Sequence, residues 1–133
     1  MSIHPDGRQY PLLAIVEFEL ADLPTTDVTP VLELPQNSVI LGIDLIIDTV
    51  FNDGSADTFD IGDADDPDRY TASPVDVTGL GVIADVTPTG YVTTADDPEI
   101  TIEYVGASAD ATTGAGRLVV EYYVAERRNE NQG

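Results

Sequence analysis

The sequence predicts an all-β protein, an antiparallel β-sandwich or barrel of seven or eight short strands. Three observations predict it. Apolar residues recur with period two along the apolar segments, which is the strand signal. Turn segments rich in Asp, Asn, Gly and Pro separate them. No segment carries the spacing of a long amphipathic helix.

The elements follow in order. Over 12–20, Leu12, Ala14, Val16, Phe18 and Leu20 share one face, while Glu17 and Glu19 face the other way. Val28, Leu32 and Leu34 share a face of the next strand. A long strand runs from Val39 to Phe51, about 13 residues and ~40 Å. Period two puts Val39, Leu41, Ile43, Leu45, Ile47 and Phe51 on one face. The other carries Ile40, Asp44, Ile46, Asp48 and Val50. That mixed face has two readings: a strand that bends and serves both sheets, or contact of Ile40, Ile46 and Val50 with a neighbouring subunit. Four shorter strands follow, marked by Phe59 and Ile61, by Val82, Ala84 and Val86, by Ile100, Ile102 and Tyr104, and by Leu118, Val120, Tyr122 and Val124. With no internal repeat and no linker, 1–133 is read as one domain with polar arms at 1–11 and 126–133.

Composition bounds the function. Twenty-five acids face five basic residues, all arginine, for a net charge of −20. Such a field repels nucleic acid and anionic lipid, since phosphate binding needs clustered Lys or Arg. A saline environment would relieve the self-repulsion; a GC-rich genome, favouring Arg over Lys and Asp over Asn, is the other reading. The absence of cysteine excludes disulfides, thiolate metal sites and thiol catalysis. No apolar run approaches the roughly 18 residues of a membrane helix, and "MSIHPDGRQYP" holds no apolar signal core.

The candidate site is "FDIGDADDPDRY", with Asp60, Asp63, Asp65, Asp66 and Asp68 within nine residues. Such density of oxygen ligands can recruit a divalent cation, but the EF-hand spacing is absent. The other reading is a short strand entering a solvated acidic turn. Pro67 then sits second in a turn from Asp66 to Arg69, and Arg69 pairs with one of the acids. No metal, cofactor or catalytic residue is assigned. His4 alone cannot build an ordinary zinc site. Ser38, Ser55, Ser73 and Ser108 lack a nucleophile elbow. The "GLG" at 79–81 and "GAG" at 114–116 are too short for a phosphate loop. A carboxylate pair for hydrolysis would need one buried acid with a raised pKa, and no aromatic-lined subsite is evident. Tyr104, Tyr122 and Tyr123 suit packing or subunit contact better than stacking on a ligand.

The order of "DTVFNDGSADTFDIGDADDPDRY" and "GRLVVEYYVAERRNENQ" resembles small head decoration (cement) proteins of tailed viruses, bacteriophage or archaeal. The resemblance runs in pattern from Leu12 to Gln132 and implies a jelly-roll-like sandwich of about eight strands. It implies a non-enzymatic homo-oligomer, trimer rather than dimer, made in the host cytoplasm and seated on the capsid surface against the major capsid protein. No nucleic acid or membrane partner is expected. No functional residue carries over individually. Arg127 and Arg128 in the C-terminal arm are expected to contact an acidic partner; deleting 126–133 is then expected to weaken shell binding without unfolding the domain. The rival roles are a tail, baseplate or receptor-binding virion component, a calcium-assisted carbohydrate-binding sandwich, and a hydrolase.

Overall fold

The computed structural model describes residues 10–24, 27–53, 57–83, 86–106 and 111–125. His4, Arg127, Arg128 and nearly all of the two predicted arms lie outside the described residues.

Eight strands are present among the described residues: β1 Leu12–Glu19, β2 Val28–Glu33, β3 Ser38–Thr49, β4 Thr58–Gly62, β5 Val75–Asp76, β6 Gly81–Ile83, β7 Glu99–Val105 and β8 Ala115–Val124. They form two four-stranded sheets, ordered β1-β8-β3-β6 and β2-β7-β4-β5. The pairs β1·β8, β2·β7, β3·β6 and β4·β5 are all antiparallel. The chain is thus a long hairpin, first strand against last and inward to the middle pair, rolled so that alternate pairs fall in opposite sheets. That is the jelly roll, a double-sheet answer to the open-edge problem. The edge strands β5 and β6 are short, and the edge strand β2 carries Pro30 and a register shift. All three devices blunt an edge against stray pairing.

The core lies between the sheets. Phe18, Leu45, Ile47 and Leu118 from the first sheet meet Phe59, Ile61, Ile100, Ile102 and Tyr104 from the second. Period two accounts for most of these. It fails where a strand carries an extra residue. In β3 the partner register jumps from Ile40↔Tyr122 to Gly42↔Glu121, leaving Leu41 as a bulge. One inserted residue reverses the faces on either side of it. Ile40 is therefore buried in the core and Leu41 is exposed, the reverse of the sequence expectation. Ile40 cannot meet a neighbouring subunit, and both strand partners of β3, β8 and β6, lie in the first sheet. A second jump sets Asp48 out of register, where its carboxylate accepts both Nε and Nη2 of Arg117 at 3.0 Å. A third, between Pro30 and Leu32 of β2, leaves Leu34 buried and Val28 exposed, so those two do not share a face as predicted. Val82 likewise points outward, although Val86 is buried.

The two outer faces differ. On the first sheet Leu13 and Ile15 of β1 and Val82 of β6 are 61%, 58% and 65% exposed. Half-buried Val119 lies between, opposite Ile15 and Asp44. On the second sheet Glu33 sits directly opposite Glu99, and Asp60 opposite Glu103. Like charges facing across a ladder repel. Raising NaCl from about 0.01 M to about 1 M shortens the Debye length from roughly 30 Å to 3 Å. The melting temperature is therefore expected to climb by several degrees across that range; a flat thermal-shift profile would contradict it.

Candidate functional site

The acidic stretch of the sequence forms one wall of a surface pocket. After β4 the chain turns at Asp63 to Asp66. The Asp63 N–H donates to Asp66 O at 3.0 Å, and the Asp66 N–H donates to Asp63 Oδ1 at 2.7 Å. The next turn closes as the sequence predicts: the Arg69 N–H donates to Asp66 O at 3.1 Å, with Pro67 second. Gly62 permits this fold-back, because the backbone of Asp66 and Pro67 lies where its Cβ would be.

Arg69 pairs with Asp63, as its sequence position suggests. Its Nε donates to Asp63 Oδ2, and its Nη2 lies 3.3 Å from Asp63 Oδ1 and 3.7 Å from Asp65 Oδ2. The guanidinium carbon also sits 3.7 Å from the ring centroid of Tyr91, a cation–π stack. Asp63 is only 1% exposed, so the turn is not uniformly solvated as expected. The first acid is a buried anchor; Asp65 and Asp68 are the solvated part. Asp60 lies apart on the outer face of β4 and accepts from Thr71 Oγ1 at 3.1 Å. Asp66 has its carboxyl held above the usual range, chiefly by a hydrogen bond with Asp68.

The opposite wall comes from a segment in which the sequence shows only a turn. Ala-Asp-Asp-Pro occurs twice, at 64–67 and 95–98. The second copy closes like the first. The Thr94 N–H donates to Asp97 O at 3.4 Å, and the Asp97 N–H donates to Thr94 Oγ1 at 3.0 Å. Thr94 thus plays the part of Asp63. The two turns face each other across a pocket of about 420 Å³ lined by Ala64, Asp65, Tyr91, Thr94, Asp96 and Asp97. The recurrence of the tetrapeptide was the available signal for Asp96 and Asp97; nothing in the sequence marks Tyr91 or places the copies side by side.

Asp97 is the unusual member. It is 7% exposed; its Oδ2 receives a long contact from Tyr91 Oη at 3.4 Å, and its Oδ1 has no partner within ordinary hydrogen-bond geometry. Burial pushes its carboxyl above the usual range, helped by a hydrogen bond with Asp63 and by the charge on Asp63. The backbone amides of Ala64 and Asp65 work weakly against this.

A raised carboxyl beside a buried acid is also the mark of the hydrolase alternative. The hydrogen bonds argue against Asp63 as the base. Asp63 accepts from Arg69 on both oxygens and from the Asp66 amide. A base must have a lone pair within reach of the proton it takes. Among the described residues no group of three His, Cys, Asp or Glu side chains could hold a metal ion. Away from the pocket, the buried Asp57 accepts the Asp53 N–H at 2.6 Å and, with burial as the larger cause, helps push the Tyr104 hydroxyl up to about 12.

The raised carboxyl has a stability consequence. Between the unfolded and the raised folded pKa, the folded state holds a proton that the unfolded state has released. Asp97 therefore costs stability as pH rises through that window, and the full cost stands at neutral pH. Asp97→Asn is expected to stabilise the protein at about pH 7 by ~1 kcal/mol, or a few degrees in melting temperature. The gain should vanish near pH 3, below the ordinary carboxylate range of about 3.9. Melting curves of the two proteins at both pH values check it; equal curves at neutral pH would refute it.

No protein-family profile matches the sequence, and no curated protein sequence matches it. Solved structures do match in fold. A chain of the cyanophage Pam1 capsid asymmetric unit superposes with a TM-score of 0.72 at 23% identity, over 93% of this chain and 94% of that one. A chain of the capsid of Ralstonia phage GP4 gives 0.61 at 20% identity, over 93% and 90%. A chain of the acid-stable capsid of Helicobacter pylori bacteriophage KHP30 gives 0.60 at 17% identity, over 86% and 88%. The chain shares its fold with chains in three phage capsids.

Proposed function

We propose that this protein is a structural component of a tailed-virus particle that decorates the outer surface of the capsid as a homo-oligomer, a trimer, and bridges major capsid protein subunits. The observation that carries the reading is the end-to-end likeness to the Pam1 capsid chain. Nearly all of both chains is matched, so the neighbour too is a domain of about this size rather than a large protein containing one.

The physical features agree with it. Two sheets around an aromatic core make a rigid body whose turns are held by its own hydrogen bonds. The exposed Leu13, Ile15 and Val82 offer apolar contact on one outer face. Repetition over a symmetric shell turns many weak contacts into strong retention. The −20 charge keeps the protein off packaged nucleic acid.

Purified protein mixed with undecorated shells of its virus is expected to co-sediment, saturate, and appear on the outer surface in a particle reconstruction. Failure to bind, or density on the tail alone, would overturn the reading. Sedimentation in molar salt is expected to give a trimer mass unchanged by calcium or EDTA; a monomer would remove the oligomer from the proposal.

A further inference from the structure

The two Ala-Asp-Asp-Pro turns are alike in backbone and unlike in charge balance. The first has its own cation: Arg69 neutralises Asp63, approaches Asp65 and stacks on Tyr91. The second has none among the described residues, where the other arginine, Arg117, is held by Asp48 in the first sheet. Asp96 stands exposed at the rim and Asp97 is buried with Oδ1 unpaired. The pocket between them has carboxylates on two walls and an aromatic ring on a third.

We infer that this pocket is a receptor for an arginine side chain of a neighbouring protein chain, which enters between the two turns and pairs with Asp97, Asp96 and Asp65. Four observations select that occupant. Asp97 Oδ1 is more than nine-tenths buried and lacks a donor, a lack that a guanidinium N–H supplies. The carboxylates lie on facing turns, which suits a flat group with donors along several edges. Tyr91 already stacks one guanidinium, that of Arg69, so its ring is suited to a planar cation. A bare metal ion would want three or more convergent ligands, and no such group exists among the described residues. A chain of net charge −20 is attracted to a basic partner at long range, and a pocket of this kind gives that attraction a register. The inference rests on the decoration reading only for the source of the arginine, a subunit of the shell; the pocket's chemistry stands apart from it.

The test uses the full chain and N-acetyl-arginine amide as the probe, followed by amide NMR at low ionic strength. Saturable shifts are expected at Ala64, Asp65, Thr94 and Asp97. Asp97→Asn, which is expected to fold with a gain in stability, should weaken probe binding about tenfold, the worth of one charge-assisted hydrogen bond. Asp96→Asn, at an exposed position, should weaken it less. Absence of saturable shifts at these amides would overturn the inference, and so would binding undiminished in Asp97→Asn. Calcium chloride producing saturable shifts there that the arginine probe cannot reverse would also overturn it, in favour of a metal site. Shell co-sedimentation of the unaltered protein judges the decoration reading separately. If shells bind the protein but the probe does not, the pocket inference fails alone; if the probe binds and shells do not, the decoration reading fails alone.

Discussion

Truncating Phe59 to alanine is expected to cost about 3–5 kcal/mol, the largest loss of any single core change in this protein. Phe59 is fully buried in β4 and its ring touches three others: Phe18 at 5.7 Å, Phe51 at 5.0 Å and Tyr104 at 5.8 Å between centroids. Phe18 belongs to the first sheet and Tyr104 to the second, so this one ring ties both together. Its contacts with Phe51 and Tyr104 are edge-on, at 74° and 76°, a geometry favoured by the ring quadrupoles. The neighbours come from separate segments, β1, the loop after β3 and β7, and cannot all collapse into the space. Guanidinium unfolding of the two proteins measures the difference; a loss below about 1 kcal/mol would show that the cluster repacks freely.

Gly62→Ala is the second. An added Cβ would lie about 2.5 Å from Pro67 O and closer still to Asp66 O, both backbone atoms that cannot rotate away. The turn must lift from the end of β4, and the bond from the Asp63 N–H to Asp66 O is lost with it. A loss of about 3 kcal/mol is expected, at the upper end for overpacking because backbone must move. Gly42→Ala is the control: nothing lies within 4 Å of its added Cβ, so it should be neutral or gain up to ~1 kcal/mol. Melting temperatures of both variants settle the contrast. Similar losses in the two would mean that glycine flexibility, not the turn's close approach, sets the cost.

Seven of the eight strands can be read from period two, and so can the Pro67 turn and the pairing of Arg69 with a nearby acid. What escapes has a physical pattern. The bulges at Leu41, Val31 and Asp48 each add one residue to a strand, and period two carries no mark of where the count slips. That is why Ile40 and Leu41 exchange places, and why Val28 leaves the face of Leu34. The strand Val75–Asp76 is missed because two residues cannot show a period. Within the site, Asp63 can be named but its burial cannot, since an aspartate beside four others reads as surface. Asp97 lies in a different turn altogether, and only the folding of β7 beside β4 brings it to the first turn.

The position of β8 has a kinetic consequence. It lies between β1 and β3, and its ladder to β1 joins residues about 100 positions apart, from Leu12↔Tyr122 to Glu19↔Ala115. The first sheet therefore cannot grow hairpin by hairpin from the ribosome; its middle strand is made last. Pairing across such separations is slow, on the order of milliseconds to seconds. Through synthesis and that search, Phe18 waits without its partner strand and Leu45 and Ile47 with only the short β6 beside them, in the state most open to aggregation. Dense negative charge keeps waiting chains apart. The acidity that reads as a property of the finished surface thus also protects the unfinished chain.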